Sequence, residues 1–116
     1  MRPNLIVIGA AKAGTTSLHY YLGLHPDISM SGTKELRFFS HDRVWSRGLE
    51  WYEAQFTGRA LIHGEASPSY AMYPHYPHAA ARLRAAVPEA KLIYLVRDPI
   101  ARIVSHWVYA SSYGGE

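Results

Sequence analysis

The sequence predicts an α/β fold, with helices covering both faces of a central parallel sheet in a three-layer α/β/α arrangement. Two runs, at residues 5–8 and 92–96, are almost continuously apolar, as is typical of strands that are buried on both faces. Strand-like and helix-like segments also alternate along the chain, which favours parallel strands joined by helices. The 116 residues, 48% hydrophobic and 18% charged, suit one globular domain that spans residues 1–116.

Each element is predicted from its apolar spacing and from the residues that end it. The first helix begins near Thr15, places apolar residues at helical spacing and ends where Gly23 and Pro26 interrupt the pattern. The other predicted elements, in chain order, are a strand at 28–30, a turn at 31–33, a helix at 49–56, a strand at 60–65, a loop at 66–70, a helix at 77–87, a strand at 91–96 and a helix that starts at Pro99 and is capped by Asp98.

The turn after the first strand has the composition of an anion-binding loop. Gly9 and Gly14 allow the backbone to curl so that several N–H groups converge, and the next helix adds its positive end. Lys12 places a charge inside the loop, and residues 15–17, Thr-Thr-Ser, add three hydroxyls. A phosphate or sulfate ester suits such a site. The alternative is a tight strand-to-helix connection without a ligand.

The two glycines have the spacing of the phosphate loop of nucleoside triphosphatases, but that loop needs a lysine directly after the second glycine. Here Thr15 holds that position and Lys12 lies upstream of it. Because no Lys-Ser/Thr pair remains to hold a Mg²⁺-bound triphosphate, a group transfer without a metal is favoured. His75 and His78 lack a matching third ligand, so we predict no metal site there either.

Charged residues also lie close to the carboxyl ends of two other predicted strands. Arg97 ends the last strand and points towards a cleft, and Ser105 on the helix after it completes an anion site with Arg97. Residues 34–39, Lys-Glu-Leu-Arg-Phe-Phe, combine three charges with an aromatic pair. We expect those charges to lie at a cleft.

Composition limits the class of protein. The net charge of +3 is spread without a basic block, which favours a small polyanionic ligand over nucleic acid. The absence of cysteine excludes disulfides and cysteine nucleophiles and fits a cytoplasmic protein. The sequence contains no run of about twenty apolar residues, so we predict neither a transmembrane segment nor an export signal.

Three segments, residues 9–17, 34–39 and 97–107, resemble in this order the sulfotransferases that use 3′-phosphoadenosine 5′-phosphosulfate (PAPS). The first is similar to the family's 5′-phosphosulfate loop and the last to its 3′-phosphate element. The middle one resembles the branch that acts on carbohydrates, with its heparan-sulfate-type and bacterial-like members. The resemblance implies the N-terminal part of a P-loop-like domain, sulfuryl transfer to a hydroxyl or amine without a metal, and adenosine 3′,5′-bisphosphate as product.

The resemblance also implies roles for individual residues. Lys12 would steady the bridging oxygen as the sulfuryl group leaves, and Glu35 would act as general base. The implied contacts are Lys12, Ala13, Gly14, Thr15, Thr16 and Ser17 with the 5′-phosphosulfate, Arg97 and Ser105 with the 3′-phosphate, and Lys34, Phe39, Ser67 and Tyr70 with the acceptor. His63 is the alternative base, because members that act on phenols and steroids use a histidine. Ala66 departs from the lysine that carbohydrate-type members often carry.

Two other functions fit the same sequence. One is a P-loop nucleotide kinase, in which Asp98 would serve a Mg²⁺ ion, although the position of Lys12 argues against it. The other is a truncated chain that binds PAPS or the bisphosphate without turnover, because full family members continue well beyond the 3′-phosphate helix. For such a fragment we expect weak or absent activity in isolation, and exposed strand edges that favour self-association.

Overall fold

A four-stranded parallel sheet forms the centre of the molecule in a computed structural model, which describes residues 1–97 and, beyond them, Val104, Trp107 and Val108. The strands are β1 (Leu5–Gly9), β2 (Ile28–Met30), β3 (Ile62–Ala66) and β4 (Lys91–Tyr94). They lie in the order β2-β3-β1-β4. Each pairing along this order is parallel, with Leu5 opposite Gly64 on one side and Lys91 on the other. The predicted parallel sheet is confirmed.

Helices connect these strands and form the two outer layers. They are α1 (Thr15–Leu22), α2 (Asp42–Trp45), α3 (Leu49–Glu53) and α4 (Ala79–Ala86), with a 3₁₀ turn at Pro68–Ala71. The chain moves outward from β1 to β2 and then returns through β3 to β4. Right-handed connections therefore place α1 on one face of the sheet and α2, α3 and α4 on the other, which is the predicted three-layer arrangement.

The main core lies on the face that α3 and α4 cover. Phe38, Phe39 and Tyr52 have no exposed surface, and the rings of Phe38 and Tyr52 stack with centroids 4.4 Å apart. Ile6 joins this cluster from β1. Its neighbour Val7 is also fully buried and points to the opposite face, because side chains alternate along a strand. Burial on both faces explains the continuous apolar run of β1.

Sequence patterning does not predict α2, and tertiary contacts explain why it forms. Arg82 on α4 makes an ion pair with Asp42 at 2.9 Å and lies over the ring of Trp45, 4.9 Å from its centroid. A single helical turn is marginal alone, so contacts with a distant helix decide it. The other differences are small: α3 ends before residue 56, α4 lies within 77–87, β4 ends before residue 96, and the predicted loop at 66–70 contains most of the 3₁₀ turn.

β4 forms one edge of the sheet among the described strands. Leu92 and Tyr94 are each 54% exposed, so apolar side chains border an edge with unpaired backbone groups. Most of the predicted helix after β4, with its cap at Asp98, lies outside the described residues. Its three described residues, Val104, Trp107 and Val108, are exposed.

Candidate functional site

The loops that follow β1 and β2 meet in a cleft at the carboxyl ends of the strands. The cleft has a volume of about 410 Å³. Grooves of about 500 to 510 Å³ lie elsewhere on the described surface. This cleft, however, is the one where the predicted anion loop meets the charged segment 34–39. Such convergence of polar groups indicates a functional site better than volume does. It is lined by Ala11, Lys12, Gly14, Thr15, Thr16, Ser17, Lys34, Glu35, Arg37, Pro68 and Met72.

One wall of the cleft is the loop between β1 and α1. Gly14 precedes the helix in a left-handed conformation, with φ of 92°, which glycine adopts without the steric cost that a side chain brings. No side chain caps the first turn of α1. The backbone N–H groups at this helix end therefore face the cleft together with the helix's positive dipole end, the usual arrangement for holding an anion.

The anion loop is anchored to the end of β4. Ala10 donates its N–H to the Leu95 carbonyl at 3.0 Å, and Leu95 donates to the Gly9 carbonyl at 2.8 Å. Arg97 then reaches the loop from two residues farther along and donates from Nη1 to the Lys12 carbonyl at 2.7 Å. The structure thus brings Arg97 beside the anion loop, whereas its predicted partner Ser105 lies outside the described residues.

The opposite wall carries the candidate base. Glu35 lies between two cations: Lys34 Nζ is 3.7 Å from Glu35 Oε1, and Arg37 Nη2 donates to Glu35 Oε2 at 3.2 Å. The Glu35 side chain is 37% exposed, so it is accessible from the cleft. These ion pairs fix the direction of the carboxylate more than they stabilise the fold, because solvent screens such exposed pairs.

The cleft is cationic. Lys12, Lys34 and Arg37 all line it, and Arg97 adjoins the loop. Burial lowers the pKa of the Lys34 ammonium below its usual value, while neighbouring Glu35 acts in the opposite direction and the charges of Arg37 and Lys12 lower that pKa further. An anion that enters the cleft would relieve this mutual repulsion of the cations.

Three residues predicted to contact an acceptor are buried instead. Phe39 and Ser67 have no exposed surface and Tyr70 is 5% exposed. Phe39 packs in the aromatic core, and the hydroxyls of Ser67 and Tyr70 bind a buried carboxylate. None of these three side chains lines the cleft, and their contact with an acceptor stays a prediction. Pro68 and Met72 line the cleft on that side.

His63, the alternative base, lies far from the cleft. It is the second residue of β3, and its backbone exchanges hydrogen bonds with Asn4 just before β1. The anion loop follows the other end of β1, about 16 Å away at the usual rise of a strand. His63 is 2% exposed and is a core residue. The structure therefore brings Glu35, and not His63, to the same cleft as Lys12.

The sequence gives no sign that Pro68 and Met72 line the cleft. It does allow Glu35 to be a solvated acid paired with Lys34 or Arg37, and in the structure Glu35 is paired with both while it also lines the cleft. Within the described residues, no group of three or more His, Asp or Glu side chains is arranged to hold a metal ion. Nor is any helix in that part long and apolar enough to cross a membrane.

Comparison with known proteins agrees with the resemblance seen in the sequence. A family profile described as the sulfotransferase domain matches residues 2–115. The chain is 40% identical over 114 residues to the membrane-associated sulfotransferase kil1 of Dictyostelium discoideum, a match that covers 93% of this chain and 23% of that protein. It is 37% identical over 112 residues to human heparan sulfate glucosamine 3-O-sulfotransferase 6, covering 95% and 31% of the two.

A solved structure is also similar over the whole chain. The crystal structure of a sulfotransferase from Alicyclobacillus acidocaldarius matches with a TM-score of 0.83 and 33% identity, covering 100% of this chain and 53% of the other. This chain therefore spans about half of that solved chain and about a quarter to a third of the two curated relatives.

Proposed function

This chain belongs to the sulfotransferase domain family, and from that premise we propose that it binds PAPS and transfers the sulfuryl group to a hydroxyl or amine of an acceptor. One observation carries the proposal. The open N-terminal end of α1 and Lys12 line the same cleft as the carboxylate of Glu35. An anion site that faces a candidate general base is the arrangement that group transfer from an anionic donor requires.

The anion loop suits the 5′-phosphosulfate of the donor. N–H groups of the first turn of α1 and the hydroxyls of Thr15, Thr16 and Ser17 supply donors, and Lys12 supplies a charge. Arg97 touches this loop at the Lys12 carbonyl, so its guanidinium is available to a second phosphate of the same nucleotide. We assign the 3′-phosphate to Arg97 on this basis, since arginine binds phosphate through two parallel hydrogen bonds.

In the proposed reaction, the acceptor oxygen or nitrogen forms a bond to sulfur while the bond from sulfur to the bridging oxygen breaks. The proton of the acceptor passes to Glu35, and the electron pair of the broken bond stays on the phosphate of the departing bisphosphate. Lys12 stabilises the charge that develops on that oxygen. Lys34 and Arg37 hold the Glu35 carboxylate in one direction through the ion pairs at 3.7 and 3.2 Å.

A carbohydrate hydroxyl or amine is the acceptor class that the similarities favour. One of the two curated relatives is named as a heparan sulfate glucosamine 3-O-sulfotransferase, and the cationic cleft would attract an acidic sugar chain. The family assignment does not support the P-loop kinase that the loop spacing first suggested. Binding of the nucleotide without turnover is the remaining alternative, because the chain covers only part of its relatives.

Transfer of a radiolabelled sulfuryl group from PAPS tests the proposal. The purified chain is incubated in EDTA with a glucosamine-containing oligosaccharide or, separately, a simple phenol. We expect slow label transfer to the sugar by the wild-type chain. The rate of transfer should fall by about a hundredfold or more in Glu35→Gln. Glu50→Gln is the matched control, since Glu50 is exposed on α3 and lines no part of the cleft. Nucleotide binding without any transfer would support the alternative of a non-catalytic chain.

A further inference from the structure

Beneath the cleft lies a buried carboxylate to which the proposed reaction assigns no part. Glu65 on β3 has no exposed surface. Its Oε1 accepts a hydrogen bond from Ser67 Oγ at 2.7 Å, and its Oε2 accepts from the Tyr70 hydroxyl at 2.8 Å and from the Tyr52 hydroxyl. A carboxylate removed from water needs such a set of donors.

Two of these hydroxyls also hold the segment that carries the candidate base. The N–H of Arg37 donates to Ser67 Oγ at 3.1 Å, and the N–H of Phe38 donates to the Tyr70 hydroxyl at 3.0 Å. A single hydroxyl thus links Glu65 to each of the backbone N–H groups of residues 37 and 38. Tyr52 differs, because its hydroxyl has Glu65 as its hydrogen-bond partner and meets no N–H of that segment.

The hydrogen bonds of this network run in one direction. The three hydroxyls donate to the carboxyl oxygens of Glu65, and the oxygens of Ser67 and Tyr70 in turn accept the N–H groups of Arg37 and Phe38. Burial raises the pKa of Glu65, and the hydrogen bonds from the three hydroxyls offset only part of that rise. The acceptor oxygens of Glu65 thus turn both hydroxyl oxygens towards the N–H groups.

The segment needs to be held, because its backbone is strained. Glu35 and Arg37 have φ values of 61° and 59°, a left-handed region that side chains other than glycine disfavour. The Glu35 N–H donates to the Ala66 carbonyl at 2.9 Å, so residue 35 is tied to the last residue of β3 and residues 37 and 38 to the segment after it. Strain that persists in this way depends on the surrounding contacts.

We propose that Glu65 is a positioning residue for Glu35: it orients the Ser67 and Tyr70 hydroxyls to accept the Arg37 and Phe38 N–H groups, and so fixes the strained turn that aims the candidate base into the cleft. This inference rests on the proposed role of Glu35 in sulfuryl transfer. Glu65 itself is fully buried and does not line the cleft.

Tyr70→Phe and Tyr52→Phe form a matched pair for the test. Each removes one buried hydroxyl from Glu65 Oε2, but Tyr70→Phe alone leaves a loop N–H without an acceptor. Hydrogen exchange of backbone amides is followed by NMR on the full chain. We expect exchange at Phe38 to rise about tenfold or more relative to amides of β1 in Tyr70→Phe, and to stay unchanged relative to them in Tyr52→Phe. Ser67→Ala gives the same test at Arg37.

Equal acceleration in both tyrosine variants, or none in either, would overturn the proposal. So would acceleration spread evenly over β1 and the loop, since that outcome indicates general destabilisation. The label-transfer assay adds a second readout. Compared with Tyr52→Phe, Tyr70→Phe should lower kcat while the Kd of adenosine 3′,5′-bisphosphate stays the same. If the wild-type chain transfers no label, the proposed function fails, while the exchange comparison still decides whether the hydroxyls bound to Glu65 hold the loop.

Discussion

Removal of the Arg97 guanidinium should weaken binding of adenosine 3′,5′-bisphosphate far more than binding of adenosine 5′-phosphate. The two nucleotides differ only in the 3′-phosphate, so a comparison of wild type with Arg97→Ala isolates that contact. Arg97 also donates to the Lys12 carbonyl at 2.7 Å. Loss of this second bond affects both nucleotides equally and cancels in the ratio of their dissociation constants.

The expected size follows from the exposure of Arg97. A hydrogen bond to a charged group contributes about 1.5–3 kcal/mol, and the lower value applies because the Arg97 side chain is exposed and solvent screens its charge. About 1.5 kcal/mol corresponds to about a tenfold change in Kd. By isothermal titration calorimetry at low salt, we expect the Kd of the bisphosphate to rise about tenfold and that of the monophosphate by less than about twofold.

Arg59→Ala is the matched control for net charge. Arg59 is also exposed and lines the separate groove between α1 and β2. Its removal should change the Kd of either nucleotide by less than about twofold. Equal losses for the two nucleotides in Arg97→Ala, or a loss of the same size in Arg59→Ala, would refute the assignment of Arg97 to the 3′-phosphate.

Three further predictions concern stability and assembly. Phe39→Ala should lower the free energy of unfolding by about 3–5 kcal/mol in urea titrations, because Phe39 is fully buried and its removal leaves a cavity. Burial lowers the pKa of Lys34 in the folded state. Between that lowered pKa and about 10.4, the unfolded state therefore binds more protons than the folded state. The free energy of unfolding should rise with pH across this window, and more steeply in the wild type than in Lys34→Met. Leu92→Lys should reduce self-association in sedimentation experiments, because Leu92 is 54% exposed on the edge strand β4.

Each of these has a contrary result. A loss below about 1 kcal/mol in Phe39→Ala would mean that the ring is not in the core. Identical pH slopes for wild type and Lys34→Met would show that the Lys34 ammonium is not desolvated. A wild-type chain that is monomeric at all concentrations would contradict the prediction of self-association from the β4 edge.

The anion loop and the sheet could be predicted because their signals are local. The apolar run of β1, the glycine at position 14 and the helical spacing after Thr15 are read within a few residues, and parallel strands bring such loops to one edge of the sheet. That rule also placed Arg97 near the loop, as the contact with Lys12 shows.

For the opposite wall of the cleft, the sequence could not predict which side chains face the core and which face the cleft. Phe39, Ser67 and Tyr70 lie in segments with neither helical nor strand periodicity, so no pattern shows which side chains face the core. The hydroxyls of Ser67 and Tyr70 face inward to Glu65, whose third hydrogen bond, from Tyr52, joins this segment to α3. Likewise, His63 lies at the amino end of β3 because it pairs with Asn4 just before β1. That pairing is determined only in the folded sheet.

The proposed nucleotide site recognises a 3′-phosphate without a metal, which a single titration can test. Adenosine 3′,5′-bisphosphate and ATP are titrated separately into the purified wild-type chain in EDTA, and then with added Mg²⁺. We expect the bisphosphate to bind at least about tenfold more tightly than ATP, with no gain in affinity from Mg²⁺. ATP binding that Mg²⁺ strengthens beyond that of the bisphosphate, or no binding of either nucleotide, would contradict it.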